Sequence, residues 1–204
     1  MIHLNGDLLC AIDIETTGLD PRQHEIYQIA ILPLDGGLNV HPSKRLLDMT
    51  LRPDKVENID WEGMKKNNNQ DDVIKACKDG IDKFQAADYL SEWFEKLQLP
   101  ERKRIVPLAH NWAGIDKEFI SEWLGPVNYN SIFHFHYRDL MTSCLYLNDR
   151  ADAFNERIPF PKVGLQYICS QLQIERNGRA HTALEDCVIT AKCYKKILTH
   201  YTFI

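Results

Sequence analysis

At 204 residues, with 44% apolar and 26% charged side chains, the chain has the composition of a folded domain and length enough to bury a core. Lysine and arginine number 24 against 29 aspartates and glutamates, and the net charge of −5 argues against coating long nucleic acid by phosphate neutralisation. It leaves room for a protein that grips only a chain end.

The six cysteines, Cys10, Cys77, Cys144, Cys169, Cys187 and Cys193, form no C-x-x-C pair and fall mostly on apolar faces. They read as reduced core residues, not as a disulfide frame or zinc site. No basic leader, cleavable apolar segment or run of 18 apolar residues occurs, so the expectation is a soluble cytoplasmic protein without a membrane partner.

Leu8 to Ile14 reads as a buried strand. Alternation puts Leu8, Cys10, Ile12 and Ile14 on one face and Leu9, Ala11, Asp13 and Glu15 on the other. Glu25–Leu34 and Arg45–Leu51 read as two more strands of an antiparallel meander, since no helical pattern separates the three. The polar stretch from Pro53 to Asp72 reads as an irregular surface excursion, with 65–70 its least structured part. Helical spacing then runs from Ile74 to Leu97 and is divided at Gly80.

Arg104–Ala109 is a fourth strand with His110-Asn111 at its end. A helix over about 114–124 follows, stopped by Gly125-Pro126. Ile132–Tyr137 is the fifth strand, and Asp139 caps the helix after it. Two further helices are expected over about 163–172 and 183–198, separated by an Asn177-Gly178 turn. There is no internal repeat and no linker that would divide domains, so residues 1–204 read as a single domain.

Three places carry chemistry. Asp13 and Glu15 leave the first strand on one side with Cα atoms roughly 6.5 Å apart, close enough to converge and to repel without a cation between them. Oxygen ligands with no neighbouring thiol or imidazole suit Mg²⁺ or Mn²⁺ better than zinc. The Thr16-Thr17-Gly18 that follows lets a ligand approach the backbone. Asp116 lies on the inner stripe of its helix, where a carboxylate is costly unless something binds it. Thr182 and Glu185 fit a capping box, which leaves His181 just outside the last helix and Asp186 in its first turn, so both can face one pocket. Asp186 can then ligate a metal while His181 exchanges a proton near neutral pH.

Asp13-x-Glu15 on a first strand, Asp116 after His110-Asn111, and His181 followed by Asp186 together resemble the three motifs of the DEDDh family. These are ribonuclease-H-like 3′→5′ exonucleases that include polymerase proofreading subunits, oligoribonuclease and ribonuclease T. The resemblance spans about Leu8 to Leu198, and Asp13-Ile14-Glu15-Thr16-Thr17-Gly18 is its closest match. It implies an α/β, ribonuclease-H-like fold with a mixed five-stranded sheet flanked by helices.

The resemblance also implies that Asp13 bridges two Mg²⁺ or Mn²⁺ ions, with Glu15 and Asp186 completing one and Asp116 holding the other. His181 is then the general base, and Thr16, Thr17, Gly18 and Leu19 contact the 3′-terminal nucleotide with His110 and Asn111 in support. Ile115, Trp112 and Gln28 stand where many members have Phe, Ala and Glu, which bears on pocket shape. The expected reaction is release of nucleoside 5′-monophosphates from the 3′ end of single-stranded DNA, with short RNA or an RNA 3′ tail as the alternative and a polymerase as one candidate partner. A catalytically inactive polymerase-accessory module would lack at least one of the four acids or the histidine. A zinc hydrolase would want clustered His and Cys.

Overall fold

The computed structural model describes residues 4–176, 178 and 181–200. Five strands, β1 (Leu8–Thr16), β2 (Ile26–Pro33), β3 (Leu47–Thr50), β4 (Ile105–Ala109) and β5 (Arg138–Asp139), form one sheet in the order β3-β2-β1-β4-β5. β1 pairs antiparallel with β2 and parallel with β4. β2 pairs antiparallel with β3, and β4 pairs parallel with β5. The sheet is therefore mixed, with β2 alone running against the rest.

The alternation along β1 separates two cores. Leu9 and Ala11 pack with Leu140, Cys144 and Leu147 of α5 (Leu140–Ala153), with Ile168 and Cys169 of α6 (Leu165–Gln171), and with Cys187 and Cys193 of α7 (Ala183–His200). Leu8, Cys10, Ile12 and Ile14 pack with Leu90 and Trp93 of α3 (Lys83–Lys96) and with Phe119 and Ile120 of α4 (Asp116–Ile132). Helices cover both faces, which is why β1 and β4 are apolar almost throughout instead of alternating with polar residues. The described cysteines are all free thiols, five of them buried. No described helix is long and apolar enough to cross a membrane.

Two expectations need correction. The polar stretch after Pro53 is not irregular: it holds a 3-10 turn at Val56–Asn58, then α1 (Trp61–Lys66) and α2 (Gln70–Asp79). Asp60 caps α1 by accepting the Gly63 N–H at 3.0 Å. Ile59, Met64, Val73 and Ala76 bury themselves on Tyr27 in a small third core. The polar residues between them are caps and solvent faces, and these masked the helical spacing of the few apolar anchors.

The expected fifth strand over 132–137 is also not a strand: Ile132 ends a helix, Phe133 makes one bridge, and 134–137 are irregular. Gly125, at φ +72°, breaks α4 in a left-handed conformation that suits a residue without Cβ, and Pro126 restarts the helix, which continues to Ile132. Phe133 makes a single bridge to Ile105, and the regular ladder is confined to Arg138–Asp139. The Asn177-Gly178 turn lies partly outside the described residues.

Candidate active site

β1 is longer than the neighbour it runs beside. Its ladder with β4 ends at the Ala11–Leu108 pair, and the chain leaves β4 through His110 and Asn111, the latter at φ +69°, a conformation asparagine tolerates. The last residues of β1 therefore run past the end of β4, at the position of the crevice where ligands bind in open α/β sheets. Asp13 and Glu15 project into it from the face covered by α7. Asp116, the first residue of α4, accepts a hydrogen bond from the Ile14 N–H and fills part of the open edge of β1.

Asp186, in the first turn of α7, comes from the third side. The Asp186 N–H donates to the Thr182 carbonyl at 3.0 Å, as expected if the helix starts after Thr182. Glu185 directs Oε1 to the Gly178 N–H at 3.2 Å. His181 stands outside the helix, exposed, with its backbone at φ +60°. A non-glycine residue in the left-handed region is uncommon, and such strain gathers at functional positions.

The electrostatics are those of crowded acids. Asp116 is 4% and Asp186 7% exposed. Burial holds the Asp13 carboxyl well above the usual carboxylate range, the charges of Asp116, Glu15 and Asp186 push it further, and Arg176 opposes them. Asp116 is raised in the same way, by burial first and then by Asp139 and Glu15, against the backbone N–H groups it accepts. A ligand atom of each of Glu15, His181 and Asp186 lies within 4.8 Å of the others, a grouping that can hold a cation. The donor set is one of hard oxygens with a single imidazole and no thiol, which fits Mg²⁺ or Mn²⁺.

Buried polar atoms without a hydrogen-bond partner, Oδ1 of Asn69, Nδ1 of His110 and Nε of Arg176, belong to residues around this cluster. Burial also lowers the His110 imidazole below its ordinary value, against the pull of Asp139 and Asp186.

The lip of the crevice is the Thr16–Leu19 turn. Thr17 is 1% exposed and turned inward: its N–H donates to Glu25 O at 2.9 Å, its Oγ1 accepts from Glu25 N at 3.0 Å, and its carbonyl accepts from Asp60 N. Thr17 thus shapes the turn from within. Thr16 Oγ1 donates to Gly18 O at 2.7 Å, and Leu19 is 80% exposed at the tip. At Gly18 a Cβ would run into the His24 ring, so this close approach needs glycine. Gln28, opposite Glu15 on β2, accepts from the Ala183 N–H at 3.5 Å and ties β2 to the start of α7.

Two supporting residues escape sequence reasoning. Asp139, read only as a helix cap, accepts the Thr142 N–H at 2.8 Å and also the Trp112 N–H at 2.6 Å, which fixes the turn carrying His110 and Asn111. Asn69, at the N-cap position of α2, is 2% exposed and donates Nδ2 to Glu15 Oε2 at 3.2 Å.

Asn69 therefore orients Glu15 from outside the acidic cluster. Replacing Asn69 by alanine should lower kcat by about 10-fold or more, as loss of an orienting partner commonly does, with KM nearly unchanged. Asn69→Gln should recover part of the loss. Single-turnover rates beside a substrate titration separate the two constants, and a change confined to KM would remove Asn69 from this role.

A family model described as an exonuclease, RNase_T, matches residues 10–194. The chain is 25% identical to the oligoribonuclease of Buchnera aphidicola over 198 residues, 96% of both proteins. It is 29% identical to that of Chromobacterium violaceum over 136 residues, 66% of this chain and 70% of the relative. Among solved structures, the nuclease domain of 3′hExo, a DEDDh family member bound to rAMP, superposes with a TM-score of 0.67 at 16% identity, covering 94% of this chain and 92% of that one. Escherichia coli Exonuclease I in complex with a dT13 oligonucleotide gives 0.68 at 18% identity, and the match covers 95% of this chain but only 41% of that enzyme. The structural likeness is one of fold, and that fold is ribonuclease-H-like.

Proposed function

Since this chain belongs to the exonuclease family RNase_T, we propose that it removes nucleoside 5′-monophosphates one at a time from the 3′ end of short single-stranded nucleic acid, RNA before DNA. The observation that carries the reading is the convergence of Asp13, Glu15, Asp116 and Asp186 beside His181 in the crevice at the end of β1. Divalent ions, when bound, supply charge stabilisation to the attacking and leaving oxygens of an in-line displacement. Asp13, Glu15, Asp116 and Asp186 would hold them.

Within that frame the chain's own groups divide the work. His181 takes the proton of the attacking water. Asn69 keeps the Glu15 carboxylate in one orientation, and Asp139 holds the His110-Asn111 turn through Trp112. Leu19 offers an apolar edge to the terminal base, with Thr16 and Gly18 forming the backbone of that lip and Thr17 bracing it.

Two considerations support short RNA over the single-stranded DNA favoured by sequence alone. The relatives that align along most of this chain are named oligoribonucleases. A net charge of −5 also supports a grip on a chain end more than tracking along a long strand. None of the relatives or neighbours described above is named for a polymerase, and nothing in them supports that partner.

The test is one panel of 5′-labelled RNA and DNA oligomers of two, five and about twenty nucleotides, incubated with Mg²⁺, Mn²⁺ or EDTA. A ladder shortening from the 3′ end, fastest on the two- and five-residue RNAs and abolished by EDTA, is expected. A DNA rate exceeding the RNA rate at every length would reverse the substrate order. Release of the 5′-terminal nucleotide first would overturn the direction.

A further inference from the structure

We propose that Arg176 is the resident cation of the metal-free site, a guanidinium that holds Asp186 until a divalent ion displaces it. This rests on the reading of Asp186 as a metal ligand. Arg176 follows α6 on the connection to α7, and its Nη1 donates to Asp186 Oδ1. Both side chains are withdrawn from solvent, at 13% and 10% exposure. The charge reaches past its partner, since Arg176 is the group that opposes the upward push on Asp13.

The pair is ill suited to be permanent. Arginine satisfies a carboxylate best as a two-pronged fork that uses its planar donors together. Here Nε is buried and makes no hydrogen bond, so the guanidinium stays underused in a place where unmade hydrogen bonds are costly. Asp186 meanwhile has a second claim on it, because its ligand atom lies within 4.8 Å of those of Glu15 and His181. A guanidinium and a divalent cation cannot both sit against that carboxylate without strong repulsion.

A buried cluster of acids with nothing between them would be under repulsion whenever metal is scarce. Arg176 relieves part of it, at the expense of metal affinity. Arg176 and His181 both precede α7, five residues apart in the sequence.

The measurement is equilibrium Mn²⁺ binding to the whole protein without nucleic acid, read from free Mn²⁺ by electron paramagnetic resonance. Wild type, Arg176→Gln, Arg176→Lys and Asp186→Asn are compared. Arg176→Gln should bind Mn²⁺ about 10-fold more tightly, with a lower melting temperature in EDTA and a larger rise on adding Mn²⁺, and Arg176→Lys should fall between.

In wild type the Arg176 Nε–H resonance should move as Mg²⁺ is added, a readout that needs no variant to fold. Unchanged or weaker Mn²⁺ binding by Arg176→Gln, or an Arg176 resonance indifferent to Mg²⁺, would overturn the proposal while Asp186→Asn still weakens binding. If Asp186→Asn leaves Mn²⁺ binding intact, the ligand reading itself fails and takes the proposal with it.

Discussion

Asp13→Asn is expected to abolish mononucleotide release and at the same time to raise the melting temperature of the metal-free protein. The first effect follows from position. Asp13 is the carboxylate whose ionisation feels Asp116, Glu15 and Asp186 together, so a cation shared among these acids would be held most directly by it. Losing several kcal/mol of charge stabilisation corresponds to a rate loss on the order of 10³-fold or more.

The second effect follows from the sign of the shift. Burial and like charge hold the folded-state pKa of Asp13 above its unfolded value, so the folded state binds more protons, and stability falls as pH rises upward from about 4, the ordinary range of a free aspartate. Asp116 contributes in the same direction. Asparagine removes the buried charge at nearly constant shape.

In EDTA at neutral pH the variant should melt a few degrees higher, since each kcal/mol moves the midpoint of a domain this size by about 2–4 °C. Its melting temperature should also depend less on pH. Mg²⁺ should stabilise the wild type and do so less for the variant. Activity within ten-fold of wild type, or a lower melting temperature in EDTA, would mean that Asp13 is a structural acid and not the centre of a cation site.

The sequence carried those parts of this site that are set by local spacing. Period-2 alternation is enough to put Asp13 and Glu15 on one face of β1, and the structure places Leu9 and Ala11 of that face in one core and Leu8, Cys10, Ile12 and Ile14 in the other. A helix start fixes Asp186 in a first turn and His181 before it, and Asp116 lies on the inner side of α4 as its spacing required.

What local spacing cannot carry is a partner far away in the chain. The bond from Asn69 to Glu15 joins residues 54 apart, and that from Trp112 to Asp139 joins residues 27 apart. Neither follows from periodicity on either side. Asn69 was further obscured because the asparagines around it read as loop, although α2 begins right after it. Thr17 shows the opposite difficulty: its backbone is expected to meet the terminal nucleotide, yet its N–H and hydroxyl are bonded to Glu25 and its carbonyl to the Asp60 N–H, partners that local spacing does not reveal. Gly125-Pro126 reads correctly as an interruption, but a stop and a restart share one signature, and only packing of Tyr129 and Ile132 into the core decides for a restart.

His181→Ala should separate proton transfer from cation binding. The residue sits on the loop side of α7, and the helix start holds through the backbone bond from Asp186 to Thr182, so removal of the imidazole leaves that start in place. Its exposure means that little packing is lost. A positioned general base typically contributes about 10²–10⁴-fold, and kcat should fall by that amount while the melting temperature and Mn²⁺ affinity change little.

Geometry makes the comparison a stringent one, because the imidazole lies close enough to Glu15 and Asp186 to serve as a ligand instead. If it is a base, the variant should titrate Mn²⁺ like wild type and turn over slowly even at saturating metal. If it is a ligand, affinity should fall with turnover, and raising Mn²⁺ should restore the rate.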